Sequence, residues 1–500
     1  QCARVPAGRF ECECNRLRQK QLPAQSRRPP SGLGCKTWCY EMAFVFIITT
    51  FVIIDSMSNL NTDNLERRLA SVTLVLLAAI MLGLAIHTPL TVLASTHWSL
   101  VALYVKAWKE VLLMVAFVLV IILGWRRHAW RFWLRDKLLW LIAGFALWHL
   151  VLAGISLAAG NSAATVIAGL VIDLRWGLMA ATMYGFIYLY PRYRQILLKC
   201  MLAAAVVIIG FACLQLVLPR DFLTIFGYSQ ATIVPYMTVD SNEAYVRFGS
   251  TLRGPNPLGA YALGGLVLAS VFLAAKWRDS AKLRVYGVLA AVSSSIALYI
   301  SYSRAAILGV LAALGGLFAH QYGRKLPKKA WISIAAGVLV VAVGGVYLLR
   351  DTSFMHNVIL HNNPATGAAR TSNDDHLSSL RDSVIKAAQQ PFGAGIGSTG
   401  SASLLGDSGV IIENQYLFIV HEAGWLGLVI YLMIVIIVLR RLWRQRNDWL
   451  APGMFLSGIG LSIASLFLPV FADDVIALVW WGLSALIVVR PFDRELVDSL

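Results

Sequence analysis

Charge is scarce in this 500-residue chain: Asp, Glu, Lys and Arg together make up 14% of it, against 58% hydrophobic residues. A soluble protein of that length needs more polar surface, so a water-soluble globular fold is excluded. Cysteine is scarce too. There are seven, and five of them (Cys2, Cys12, Cys14, Cys35, Cys39) fall within residues 1–41. Their spacing fits no zinc site, and Cys200 and Cys213 lie in an apolar run as small core residues. The chain has no Walker motif, no zinc-binding HExxH helix and no GxSxG nucleophile elbow. Those absences argue against a P-loop NTPase, a zincin and an α/β-hydrolase. No cofactor or metal is expected.

Long apolar runs are what the chain has in abundance. A membrane-crossing helix needs roughly 20 mostly apolar residues, and about a dozen such runs are present. The expected fold is all-α: a polytopic membrane protein of about 12 transmembrane helices, with a large periplasmic or extracellular loop carrying short amphipathic helices. Spans are expected near 69–87, 108–124, 138–158, 163–190, 195–218, 256–275, 285–301, 303–320, 330–349, 413–438, 450–470 and 474–489. The net charge of +17 resides in short clusters between these runs, such as Arg126-Arg127, Lys276 to Arg284, Arg324 to Lys329 and Arg440 to Arg446. That is the positive-inside pattern of a membrane protein and not a nucleic-acid surface. With the cluster Arg126 to Lys137 anchored in the cytoplasm, both ends of the span set lie inside. The expected location is the cytoplasmic (inner) membrane.

Residues 1–41 are rich in Pro, Arg and Cys, and the chain does not open on Met. Met57 begins a polar stretch ending in two arginines ahead of a long apolar run. Residues 1–56 are therefore expected to be a non-native or disordered extension, with 57–500 as one transmembrane domain. Residues 43–54 could alternatively form a short hydrophobic segment.

Two connections are long, about 219–255 and 350–412, and both fall on the outer side. Long loops of that kind are functional or disordered. The first ends in Arg247-Phe248-Gly249-Ser250-Thr251-Leu252-Arg253-Gly254-Pro255-Asn256-Pro257. Asn256 suits an N-cap and Pro257 a first helical residue. A helix starting here points its positive dipole end outward, which favours an anion. Arg253 beside that end is electrostatically misplaced unless an anion binds there. The pattern recurs at Ser301-Tyr302-Ser303-Arg304-Ala305, with Ser303 as the cap. Two arginines at two outward helix ends suit a pyrophosphate; the bland alternative is that both snorkel to the interface.

Arg175 lies in the middle of an apolar run, a costly depth that marks either a functional cation or half of a structural ion pair. Asp173 is two residues away and does not share its helix face. In the second loop, Asn373 can cap a helix whose Leu377, Leu380, Val384 and Ala388 form an apolar stripe. His376 sits in its first turn, and Arg381 lies about 140° around the helix from it. The segment Phe392-Gly393-Ala394-Gly395-Ile396-Gly397-Ser398-Thr399-Gly400 lacks the strand and helix context of a dinucleotide motif. It reads as a flexible loop approaching substrate. Asp473-Asp474 reads as a solvated outer turn. His361 and His421 are candidate bases.

Three motifs in order resemble the O-antigen ligase and polymerase superfamily of bacterial envelope glycosyltransferases. They are Leu252-Arg253-Gly254-Pro255-Asn256-Pro257-Leu258-Gly259-Ala260-Tyr261, then Ser301-Tyr302-Ser303-Arg304-Ala305-Ala306, then Arg381 through Pro391-Phe392-Gly393-Ala394-Gly395 to Glu413-Asn414-Gln415-Tyr416-Leu417 and Glu422-Ala423-Gly424-Trp425-Leu426-Gly427. Together they cover about 245–430. The resemblance implies a metal-independent GT-C type enzyme that moves a glycan from undecaprenyl pyrophosphate to an acceptor hydroxyl at the outer membrane face. The acceptor is a glycolipid, a growing glycan or a protein; membrane lipids are partners and nucleic acid is not. On this resemblance Arg253 and Arg304 hold the pyrophosphate, with Arg175 and Arg381 as further candidates. The family's usual His-Asn appears here as Glu413-Asn414, so His376, His361 and Glu413 compete as the base. A repeat-unit polymerase and a protein O-oligosaccharyltransferase share the chemistry. A lipid-linked glycan flippase is the rival from another class, and Arg175 is the residue that favours it.

Overall fold

A computed structural model describes residues 64–489 apart from 240–241, 324, 354, 357–371 and 407–408. The expected extension 1–56 and His361 lie outside the described residues. Fourteen longer helices carry the fold: α1 (Asn64–Gly83), α2 (His87–His97), α3 (Ser99–Arg126), α4 (Lys137–Ala158), α5 (Ala163–Leu189), α6 (Arg194–Leu214), α7 (Pro255–Lys276), α8 (Ala281–Ser301), α9 (Arg304–Tyr322), α10 (Lys328–Leu349), α11 (Ser372–Gln389), α12 (Gln415–Arg444), α13 (Leu450–Ala464) and α14 (Asp474–Val488). The described residues all belong to the unit spanning Thr50–Leu500.

Eight helices among the described residues are long and apolar enough to cross a membrane, or nine if α1 and α2 form one span broken by an 80° bend. At 15 residues each, α13 and α14 reach only about 22 Å, short of a hydrocarbon core of about 30 Å. Apolar side chains therefore cover the outside of the bundle as well as its core. Leu147, Leu150 and Ile155 on α4 are exposed, while Phe145 and Leu152 on the same helix are buried. At the centre Trp176 of α5 lies 4.4 Å from Trp481 of α14 and 5.5 Å from Tyr431 of α12, ring to ring.

One end of the bundle is tied together by polar pairs between helix termini. Arg127 binds Glu66, which also accepts from the Tyr190 hydroxyl at 2.8 Å. Arg194 pairs with Asp448 at 3.0 Å. Asp136 caps α4 by accepting from the Leu138 N–H at 2.8 Å, and takes both guanidinium nitrogens of Arg441 at 2.6 and 3.0 Å. Burial opposes ionisation of Asp136, but the hydrogen bonds from Arg441 and Tyr184 and the charge of Arg441 outweigh it and hold the carboxyl below its ordinary value of 3.8. Its contribution to stability is thus complete above pH 3.8 and is lost only as the pH falls below that value. Asp136→Ala, which leaves Arg441 without its anion, is expected to cost about 2–4 kcal/mol. Thermal unfolding of the detergent-solubilised variant checks this, and an unchanged Tm would contradict it.

The opposite end holds the long connections. The first is ordered: after a 3-10 turn at Phe222–Phe226 come β1 (Met237–Val239) and β2 (Asn242–Arg247), paired antiparallel with Met237 opposite Arg247. This small hairpin is an addition to the all-helical expectation. Two expectations at this end are corrected. Asp473 is 6% exposed and caps α14 through the Val475 and Ile476 N–H groups. Asp474 binds His87 at 3.1 Å and Lys109 at 3.0 Å. Asp473 is thus buried and Asp474 half-buried; the cations that compensate Asp474 come from far earlier in the chain, and no local pattern reveals them. Second, α7 begins at Pro255 with Gly254 as its cap. Asn256 lies inside the first turn, and its side chain accepts from Arg247.

Candidate active site

Three chain segments meet at that end around a cavity of about 410 Å³. The end of β2 and the first turn of α7 bring Arg247 and Asn256. The α8–α9 junction brings Tyr302, Ser303 and Arg304. The approach to α12 brings Glu413 and Asn414, and α11 covers them with Leu377, Leu380 and Ser383. The wall is completed by Leu308 and Leu466 to Leu468.

Each polar group is placed by a local device. Arg247 donates through Nε to the Ser301 carbonyl at 3.0 Å and through Nη2 to Asn256 Oδ1 at 2.7 Å. Those bonds fasten the hairpin to both the α7 and α8 termini. Asn414 caps α12 by accepting from the Tyr416 and Leu417 N–H groups at 2.9 and 3.0 Å. The cap fixes where Glu413, one residue earlier, leaves the helix axis. Ser303 occupies the expected cap position of α9, but its side chain accepts no cap bond. Its hydroxyl is buried and unpartnered in the cavity wall. Burial, reinforced by the Tyr299 hydrogen bond, pushes the Tyr302 phenol up to about 12, so it stays a neutral donor.

The expected site residues divide. Arg304 and Glu413 line the cavity together. Arg253 is exposed and lines a separate crevice of about 20 Å³ against Tyr236 and Tyr228. Arg247 lines both. Arg381 is exposed and absent from the cavity lining, one position round the helix from Leu380. His376 lies in the first turns of α11, four positions before Leu380. Arg175 is elsewhere: its guanidinium binds the Ala472 carbonyl and lies 3.9 Å from Glu110. Of the two readings left open for Arg175, the structural ion pair describes its contacts. His421 is buried in α12 and does not line the cavity.

The glycine-rich segment is also not the flexible loop expected from its composition. Glu422, 1% exposed, accepts the Gly397 N–H at 2.9 Å and the Thr399 N–H at 3.1 Å. Gly397 adopts φ +82 against α5, where an added Cβ would stand 2.4 Å from the Thr165 carbonyl oxygen. Gly424, at φ +67, breaks the helical backbone inside α12 and packs on Pro391 and Phe392. Glycine here serves close packing. The C-terminal end of α11 is held by α12, where Trp425 donates to the Ala387 carbonyl at 3.0 Å. Glu422→Ala removes the acceptor for two buried N–H groups. Limited proteolysis of the variant is expected to cut within 393–400 at least tenfold faster than in the parent protein; equal protection would contradict the role.

Residues 289–432 match the family model described as O-antigen ligase. That segment carries an O-antigen ligase domain, which supports a place in the O-antigen ligase superfamily. A comparison with curated proteins gives no match. The O-antigen ligase domain includes Arg304, α11, Glu413 and Glu422. Arg247 and Asn256 precede the matched segment, yet the fold brings them to the same cavity as Arg304 and Glu413. Arg247 was not singled out in the sequence. The signal present was its position at the end of a short strand, two residues after Tyr245, so that both share a strand face. Among the described residues no group of three His, Cys, Asp or Glu side chains is placed to hold a metal ion.

Proposed function

We propose that this protein transfers a glycan from undecaprenyl pyrophosphate to an acceptor hydroxyl at the outer face of the cytoplasmic membrane. The O-antigen ligase domain supports glycosyl transfer of the ligase type in general. The observation that carries the finer reading is one cavity lined by two guanidiniums, Arg247 and Arg304, and one carboxyl, Glu413, beneath the amphipathic helix α11. In the proposed reaction Glu413 takes the proton of the acceptor hydroxyl. The acceptor oxygen then bonds to the sugar's anomeric carbon as the bond from that carbon to the pyrophosphate oxygen breaks. Arg247 and Arg304 neutralise the charge that grows on the departing pyrophosphate. No metal is needed for that neutralisation.

Orientation follows from charge. The opposite end of the bundle carries Arg127, Arg194 and Arg441 with the basic loops, which the positive-inside tendency places in the cytoplasm. The cavity then faces outward, and about twelve helices or helix pairs enter the membrane, of which α13 and α14 do not cross its full hydrocarbon core. The flippase reading loses its motivating residue, since Arg175 is engaged by Ala472 and Glu110.

Ligase, polymerase and protein transferase differ only in acceptor. Purified protein given undecaprenyl-pyrophosphate glycan is expected to glycosylate a lipid A core acceptor in preference to free glycan or a Ser/Thr peptide. Product on glycan alone would make it a polymerase, and no donor consumption with any acceptor would refute the proposal.

A further inference from the structure

Three tyrosines that the proposed reaction does not use cluster at the cavity, with one of them in its wall. Tyr302 lines the cavity next to Arg304. Its ring meets Tyr245 edge-on at 6.4 Å and 86°, and Tyr299 at 5.6 Å and 42°. Tyr299 is 60% exposed, while Tyr245 and Tyr302 are half-buried. The cluster is assembled from two separate segments. On β2, Tyr245 and Arg247 are two residues apart and share a strand face. Tyr299 ends α8, and Tyr302 follows its last turn.

Tyr302 occupies a position that local backbone chemistry would give to another residue. It caps α8 in the left-handed region, at φ 48 and ψ 32, where Gly or Asn costs least. A bulky side chain held there marks a site where the ring itself is required. Tyrosines of an interfacial belt are spread around a bundle's perimeter; these three pack against one another, and Tyr302 carries the cluster into the cavity wall.

A pyranose ring has one face of C–H groups and a rim of hydroxyls. An aromatic face accepts the first, and phenolic O–H groups match the second. The sugar bonded to the donor pyrophosphate must lie directly beside the groups that hold the pyrophosphate. Resting on the donor-site reading above, we infer that Tyr245, Tyr299 and Tyr302 form a subsite for the first sugar ring of the lipid-linked glycan.

The test compares binding of two probes to the full-length protein in detergent: undecaprenyl pyrophosphate alone, and the same lipid bearing one N-acetylglucosamine. The parent protein is expected to bind the glycosylated lipid about tenfold tighter. Tyr302→Asn, which suits the left-handed backbone and so preserves the fold, is expected to abolish that preference while bare-lipid affinity stays within about twofold. Tyr302→Phe, which keeps the ring, is expected to retain most of the preference. Equal binding of both probes by the parent protein overturns the subsite, as does a preference that survives in Tyr302→Asn. Binding of neither probe overturns the donor-site reading itself, and the subsite with it.

Discussion

Arg304→Ala is expected to slow glycan transfer by about 10²–10³-fold while leaving expression and membrane insertion unchanged. The magnitude is that of removing one group that stabilises transition-state charge in a partly dehydrated site. Arg304 stands in the first turn of α9, beside N–H groups with no helical partner and an unpartnered Ser303 hydroxyl. A cation alone is poorly placed at a helix N-terminus; a cation with a bound anion is well placed. Arg304→Lys keeps the charge but loses the planar fork, so partial activity is expected. Arg247→Ala is expected to lose a similar factor, with an added loss of stability because Arg247 also fastens Ser301 and Asn256. Arg253→Ala is expected to cost under tenfold, since Arg253 lines the separate crevice. Transfer rates from lipid-linked donor by all four variants check this. Full activity in Arg304→Ala and Arg247→Ala would refute the pyrophosphate assignment.

Glu413→Gln is expected to lower kcat by about 10²–10⁴-fold with the donor KM little changed, because a base acts on the acceptor proton in the chemical step. The residue stands where the resembling family usually places His, so Glu413→His offers a positive control. That variant is expected to regain activity, with the acid limb of its pH–rate profile moved to higher pH, because an imidazolium is a weaker acid than a carboxylic acid. A structural role would not move that limb. If Glu413→Gln retains kcat and His376→Ala loses it, the base is His376, whose helix covers the same cavity.

The fold class was legible because membrane helices announce themselves by length and apolarity, and the basic clusters by sign. The caps at Asp136 and Asn414 follow from local residue types. What the sequence could not show were groups defined by distant partners. Asp474 looks solvated until His87 and Lys109 are brought to it. The run from Gly393 to Gly400 looks loose until Glu422 binds its backbone. At the candidate site, Arg304 and Glu413 were singled out by motif and Arg247 was not, and all three line the cavity. The choice between Arg247 and Arg253 depends on which way a short hairpin turns its residues, and both arginines lie within a few residues of the same helix start. No local periodicity separates them.

The most direct measurement is photocrosslinking of the parent protein with a lipid-pyrophosphate donor carrying a diazirine on its first sugar, followed by peptide mapping. Adducts are predicted on the cavity wall, at 299–308, 377–383 or 412–414. Adducts confined to the Arg175–Glu110 region, or label spread evenly over the lipid-facing helices, would contradict the account.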